Sequence, residues 1–256
     1  MKGIIVSEYE RTFKRKKTII GLIIYCIVLA FECLFLYGMN GLSFYDPEHS
    51  VQLNSINTAP FFIREVGIFI NFILIPMLVV DSFNGEYTSG ALRLVLIRPQ
   101  ARLKLFLAKW VVQASIFLGI TIITWITSTL FGRLVMEHVS ETTFFHTGKM
   151  DAFQGMIYTL KFYSMTFLIF LSVIGLCSLI SVIMPNSILA FVGTIGCLVG
   201  GVYISDHFVY LLSVSDSIFS VLGGIGQSGF YVSLFLLFFI STILNVGIWK
   251  KKQWMG

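Results

Sequence analysis

The sequence predicts an all-α integral membrane protein with six transmembrane helices. Three observations carry that prediction. The chain has 256 residues, 56% of them hydrophobic and 12% charged, whereas a soluble domain carries about 25% charged residues. The mean hydropathy is +0.87. The apolar residues gather in six runs, at 18–38, 61–81, 106–132, 162–184, 187–205 and 230–249. Each approaches or exceeds the roughly 20 residues that a helix needs to cross the bilayer core.

The elements follow in chain order. In residues 3–17, Ile5, Val6, Tyr9 and Phe13 share one helical face, while Ser7, Glu10, Arg11 and Lys14 share the other. This pattern predicts an amphipathic helix lying on the inner membrane surface, with a solvated basic tail as the alternative. The first apolar run is too long for a signal-peptide core, and five more follow it. Arg64 and Glu65 sit near the start of the second run and can reach the outer interface. Residues 207–228 are apolar but interrupted by Asp216, Gly223, Gly224 and Gly226. A re-entrant segment before span six is expected there, covered by other helices. No repeat or linker divides the chain, so residues 1–256 are expected to form a single transmembrane domain.

Orientation follows from the basic residues. Six Lys and Arg precede the first run, five lie around 82–109 and three close the chain. The remaining four of 18 are Arg64, Arg133, Lys149 and Lys161. Because basic residues favour the cytoplasmic side, both termini and the connection between spans two and three are expected inside a plasma membrane. The net charge of +5 is therefore read as membrane orientation, and no nucleic-acid partner is expected.

Several enzyme and cofactor readings fail on their own chemistry. Gly85 and Gly90 have the glycine spacing of a P-loop, but Ala91 and Leu92 stand where the phosphate-binding Lys and the magnesium-binding hydroxyl are needed. Residues 224–229 match the dinucleotide Gly-x-Gly-x-x-Gly, yet no strand precedes them in a soluble sheet domain. A hinge or close packing explains those glycines. Glu137, His138, Glu141 and His146 match no metal-ligand spacing. Cys26, Cys33, Cys177 and Cys197 all lie in apolar runs and read as packing residues. The chain is expected to hold no cofactor and to be no enzyme by itself.

Glu32 lies inside span one, where a charge is costly, so it must face the bundle, be protonated or find a partner. Two roles fit: a place on the translocation path together with Asn71, or a packing hydrogen bond to Asn71. Gly196 and Gly200 form a small-xxx-small face suited to helix packing.

Residues 84–98 are helical in pattern. Ala91, Leu92, Val95 and Leu96 form an apolar stripe, and Glu86, Ser89 and Arg93 a polar one. Glu86 suits a helix N-terminus, Arg98-Pro99 ends the helix, and Arg102 and Lys104 anchor the next span. At these residues the chain resembles the type-2 export permeases of the ATP-binding-cassette (ABC) transporters. Members carry Glu-x-x-x-Gly-Thr-Leu, then Pro and Arg, just after span two. Here the segment reads Glu86-Tyr87-Thr88-Ser89-Gly90-Ala91-Leu92, followed by Arg98-Pro99-Gln100-Ala101-Arg102. Ala91 departs from the usual hydroxyl residue. The interfacial helix, the six spans and the broken segment before span six extend the likeness over almost the whole chain.

The resemblance implies a permease subunit of an ABC exporter, working with a second, identical or related, permease. Separate ATPase subunits would bind ATP and magnesium. They would engage a cytoplasmic coupling helix through Glu86, Gly90, Leu92, Arg93, Leu96, Pro99 and Arg102. Similar half-size bacterial permeases move peptides, drugs or other amphiphiles, and antimicrobial-peptide resistance is one expected role. The competing readings are an ion-coupled secondary transporter using Glu32 and a non-transporting scaffold or sensor subunit.

Overall fold

The computed structural model describes residues 1–38, 43–46, 49–88, 102–225 and 227–251. Six of its helices are long and apolar enough to cross a membrane. Span one is Lys16–Gly38, span two Thr58–Gly85, span three Arg102–Val135, span four Ala152–Ile183, span five Ser187–Ile204 and span six Ser228–Lys251. An N-terminal helix, Lys2–Lys14, precedes them.

Spans two and four form the centre. Their apolar windows are 67% and 72% buried, against 28%, 17% and 28% for spans one, five and six. Span four packs along span six, where Gly175 admits Ser241 and where Asn245 Nδ2 donates to Ser178 Oγ at 3.0 Å. Gly21 of span one lies against the tip of Met77 of span two, which would have to shift to admit a side chain there.

Several helices exceed their apolar runs. Span four begins ten residues before the expected Phe162, because a capping box of Asp151 and Gln154 starts the helix at Ala152. Asn186 caps span five by accepting from the Leu189 N–H at 2.8 Å. The connections also contain two short antiparallel hairpins: β1 (Ser43–Asp46) with β2 (His49–Gln52), and β3 (Glu141–Thr142) with β4 (Met150–Asp151). The sequence reading contained neither.

Span two is irregular at two places. The backbone widens to π geometry over Ile70–Leu74 and again over Asp81–Gly85. The first turn lies just before Pro76. Proline removes an N–H and crowds the carbonyl four residues back, which is Phe72 inside that turn. The second turn runs directly into helical residues Glu86–Thr88. Glu86 therefore continues span two and does not open a separate helix at the surface, as its charge had suggested.

The segment before span six is broken into a 3-10 turn, Asp206–Leu211, and a helix, Val214–Leu222. That helix packs on spans two and four. Gly224 takes a positive φ of 91°, and Gly229 sits against the His207 ring. A left-handed turn at Gly224 and close packing at Gly229 thus account for the described glycines of the dinucleotide-like motif; Gly226 lies outside the described residues. Gly196 and Gly200 meet no other side chain or backbone among the described residues, so their small-residue face packs against none of them.

The N-terminal helix and the end of span six lie at the same end of span three. Trp249, near the end of span six, is fully buried against Phe83 and Phe106, at ring distances of 6.3 and 5.7 Å. Phe83 closes span two and Phe106 opens span three. The N-terminal helix packs on this same part of span three.

Candidate functional site at the basic end of the bundle

The site begins with one lysine. Lys109 lies two turns into span three, on the buried face with Leu105, Phe106, Val112 and Ile116. Its side chain is 0% exposed. An ammonium group has three donors, and a buried one must use them. The Lys109 Nζ donates to Glu8 Oε1 at 2.8 Å, to the Ser82 carbonyl at 3.0 Å and to Glu86 Oε2. All three donors are used.

Each carboxylate recruits further cations. Glu8 also pairs with Arg11, one turn along the N-terminal helix. Glu86 accepts from Arg15 through its other oxygen and lies 3.7 Å from Arg11. Arg15 also donates to Asp81 at 3.3 Å, and Lys17 pairs with Asp81 at 2.8 Å. One network thus joins the N-terminal helix, the start of span one, the end of span two and the start of span three.

The π turn makes this possible. Asp81 and Glu86 are five residues apart, which in an α-helix separates them by about 140°. A turn closed by i→i+5 bonds brings such positions to the same side. Arg15 therefore reaches both carboxylates at once. The same turn presents Asn84 to span four. Its Nδ2 donates to the Ser181 and Met184 carbonyls, both at 2.8 Å, and its Oδ1 accepts from Ser187 Oγ at 3.1 Å. The end of span four and the start of span five are thereby held by one side chain.

The buried face of the N-terminal helix is accordingly polar. Glu8 and Thr12 are buried, Ile5 and Tyr9 half-buried, and Val6 and Phe13 exposed. The apolar face read from the sequence is split, because Lys109 needs a counter-charge at this position. Tyr9 adds a hydrogen bond to Ser115 of span three.

The coupling residues expected from the sequence are distributed as follows. Glu86 lies at the heart of the network, so its carboxylate is committed within the chain and is not a free contact at a rim. Arg102 is the exposed first residue of span three. Gly90, Leu92, Arg93, Leu96 and Pro99 lie outside the described residues. Glu8, Arg15, Asp81, Asn84 and Lys109 were not singled out from the sequence. Lys109 carried the available signal: a charge four residues into a run that begins at Phe106 calls for a partner.

Glu32 and Asn71 are both buried but do not bond to each other. Glu32 shares the inward stripe of span one with Tyr25, Leu29 and Leu36. Its carboxylate makes no hydrogen bond or ion pair among the described residues. Asn71 lies in the first π turn and donates to the Leu211 carbonyl at 3.2 Å, linking span two to the broken segment. The proposed packing bond from Glu32 to Asn71 is thus replaced by one to a backbone group.

No cluster of three or more metal-ligating side chains occurs among the described residues. Cys26, Cys33, Cys177 and Cys197 are all free thiols.

Two comparisons with known proteins bear on the chain. No curated protein matches it. The family model described as ABC-2 family transporter protein matches residues 9–197. That match takes in the N-terminal helix from Tyr9, spans one to four, the first part of span five, and every member of the Lys109 network except Glu8. The chain therefore belongs to the ABC-2 transporter family, as a multi-pass membrane permease subunit.

Proposed function

We propose that this permease exports a peptide, a drug or another amphiphile across the plasma membrane, driven by separate ATPase subunits. A second permease, identical or related, completes the translocation path. Glu32 and Asn71 face that path. Both termini and the 86–97 segment lie in the cytoplasm, where the ATPase docks on Leu92, Arg93 and Leu96.

One observation supports this reading above the others. Glu86, at the root of the 86–97 segment, is tied by charge to the N-terminal helix through Arg11, to the start of span one through Arg15, and to span three through Lys109. A displacement of the segment's root pulls on all of them together. Buried charge pairs resist separation, because an isolated buried charge is costly. The network is thus suited to carrying motion from a docked ATPase into the spans.

The test is reconstitution with the cognate ATPase. Arg93→Glu should weaken docking, and the paired change Leu92→Asp, Leu96→Asp should weaken it more, because it places charge in an apolar contact. Co-purification and substrate-stimulated ATP hydrolysis in liposomes report the outcome. Wild-type behaviour of both variants would remove 86–97 from the coupling path.

A further inference from the structure

A cavity of about 680 Å³ opens beside the charge network. Its wall carries Arg11, Lys14, Arg15 and Lys17 against Asp81 and Glu86. Both carboxylates are already engaged, by Arg15 and Lys17 for Asp81, and by Arg15, Arg11 and Lys109 for Glu86. Counting Lys109 and Glu8 behind the wall, five cations face three carboxylates. Among the described residues, Lys14 makes no ion pair and the buried Arg11 Nε has no hydrogen-bond partner. The cavity is therefore cationic, with unspent donors.

Its position limits the ligand. Lys17 opens span one, Ser187 opens span five, and the end of span two forms the floor between them. Above the cavity, Ile20 and Ile23 of span one and Ile188 and Val192 of span five are exposed apolar side chains. A ligand seated here has an anionic group among the cations and an apolar body along two helices. We propose that the cavity binds an anionic phospholipid of the inner leaflet, headgroup against Lys14 and Lys17 and acyl chains along spans one and five. Basic pockets between membrane helices take such headgroups by charge and by hydrogen bonds to phosphate oxygens. The leaflet rests on the orientation proposed above, whereas binding itself does not, and no ATPase is needed to measure it.

The experiment uses the purified full chain in mild detergent. Phosphatidylglycerol is titrated against phosphatidylcholine, read by thermal unfolding and by lipid retained in native mass spectrometry. Phosphatidylglycerol should raise the unfolding midpoint and remain bound. Lys14→Gln with Lys17→Gln should weaken that binding by about tenfold or more, while unfolding in phosphatidylcholine confirms that the variant is folded. Lys250→Gln with Lys251→Gln, at the same end but outside the cavity, should bind as wild type. Inorganic phosphate and soluble glycerophosphoglycerol should not reproduce the effect, and short-chain phosphatidylglycerol should bind more weakly than long-chain. Equal binding by the Lys14/Lys17 variant, equal loss in the Lys250/Lys251 variant, or full stabilisation by the water-soluble anions would each overturn the proposal.

Discussion

The two ends of the bundle are held by different physics. At the basic end, Lys109, Glu8, Glu86, Asp81 and Arg15 form a network that needs every member in place. At the other end, Phe61 of span two, Phe145 of the 136–151 connection, Phe162 of span four and Phe219 of the short helix share ring contacts of 5.0 to 5.2 Å. Aromatic contacts are short-ranged and tolerate small displacements; each pair adds about 0.5–1.5 kcal/mol beyond its buried area. Buried charges are less forgiving, since losing one partner exposes the full desolvation penalty of the other. The comparison teaches that the basic end moves as a unit or not at all, while the aromatic end can yield side chain by side chain.

The strongest way to break the comparison is Lys109→Ala. It leaves Glu8 and Glu86 buried without their shared cation, and about 3–5 kcal/mol of stability should be lost. Thermal unfolding in detergent measures it. Combining Lys109→Met with Glu8→Gln and Glu86→Gln should recover much of that loss, since no lone charge then remains, while ATPase coupling should stay impaired. Full coupling in the combined variant would show that the charges serve only stability.

A smaller effect is expected from Asn84→Ala. It frees the Ser181 and Met184 carbonyls at the end of span four, for about 1–3 kcal/mol. Hydrogen exchange should rise at residues 180–187 before it rises elsewhere. At the aromatic end, Phe145→Leu removes two ring contacts but keeps an apolar side chain, and should cost about 1–3 kcal/mol. A loss as large as that of Lys109→Ala would erase the distinction between the ends. The smallest effect belongs to Lys17→Gln. Lys17 is 63% exposed, so its pair with Asp81 should contribute under about 1 kcal/mol and fade with added salt.

Much of the architecture was legible in the sequence, because bilayer thickness sets span length directly. Six apolar runs therefore announced six helices. The helix ends were harder to read, since Asp151 and Asn186 cap by hydrogen bonds that hydropathy does not record. The hairpins at Ser43–Asp46 and Glu141–Thr142 are only two to four residues per strand, too short to show alternation. The candidate site was legible in part. Glu86 stood out through the family motif, but its role looked external, because a carboxylate in a polar stripe reads as exposed. Its burial depends on Lys109, 23 residues away, and on Glu8, 101 residues from Lys109. Such pairings depend on tertiary placement, which local periodicity does not encode. The π turn over Asp81–Gly85 was equally hidden, since no proline marks it.

That turn has a consequence for how span two accommodates change in length. An i→i+5 turn holds one residue more than the α turn it replaces. Deleting a single residue from Asp81–Gly85 would restore α geometry and leave the upper part of the span untouched. Everything beyond would keep its facing, because the wide turn already absorbs the extra residue. Glu86 would then stand four residues after Asp81 and still face Arg15 and Lys109, whereas the same deletion in a regular α-helical stretch would swing it by about 100° and draw it back by about 1.5 Å. The Ile70–Leu74 turn holds the same slack half-way along the helix, beside Asn71 and its bond to Leu211. Span two is in this sense a spliced shaft, with two places where one residue can be given up without turning its lower end away from its partners.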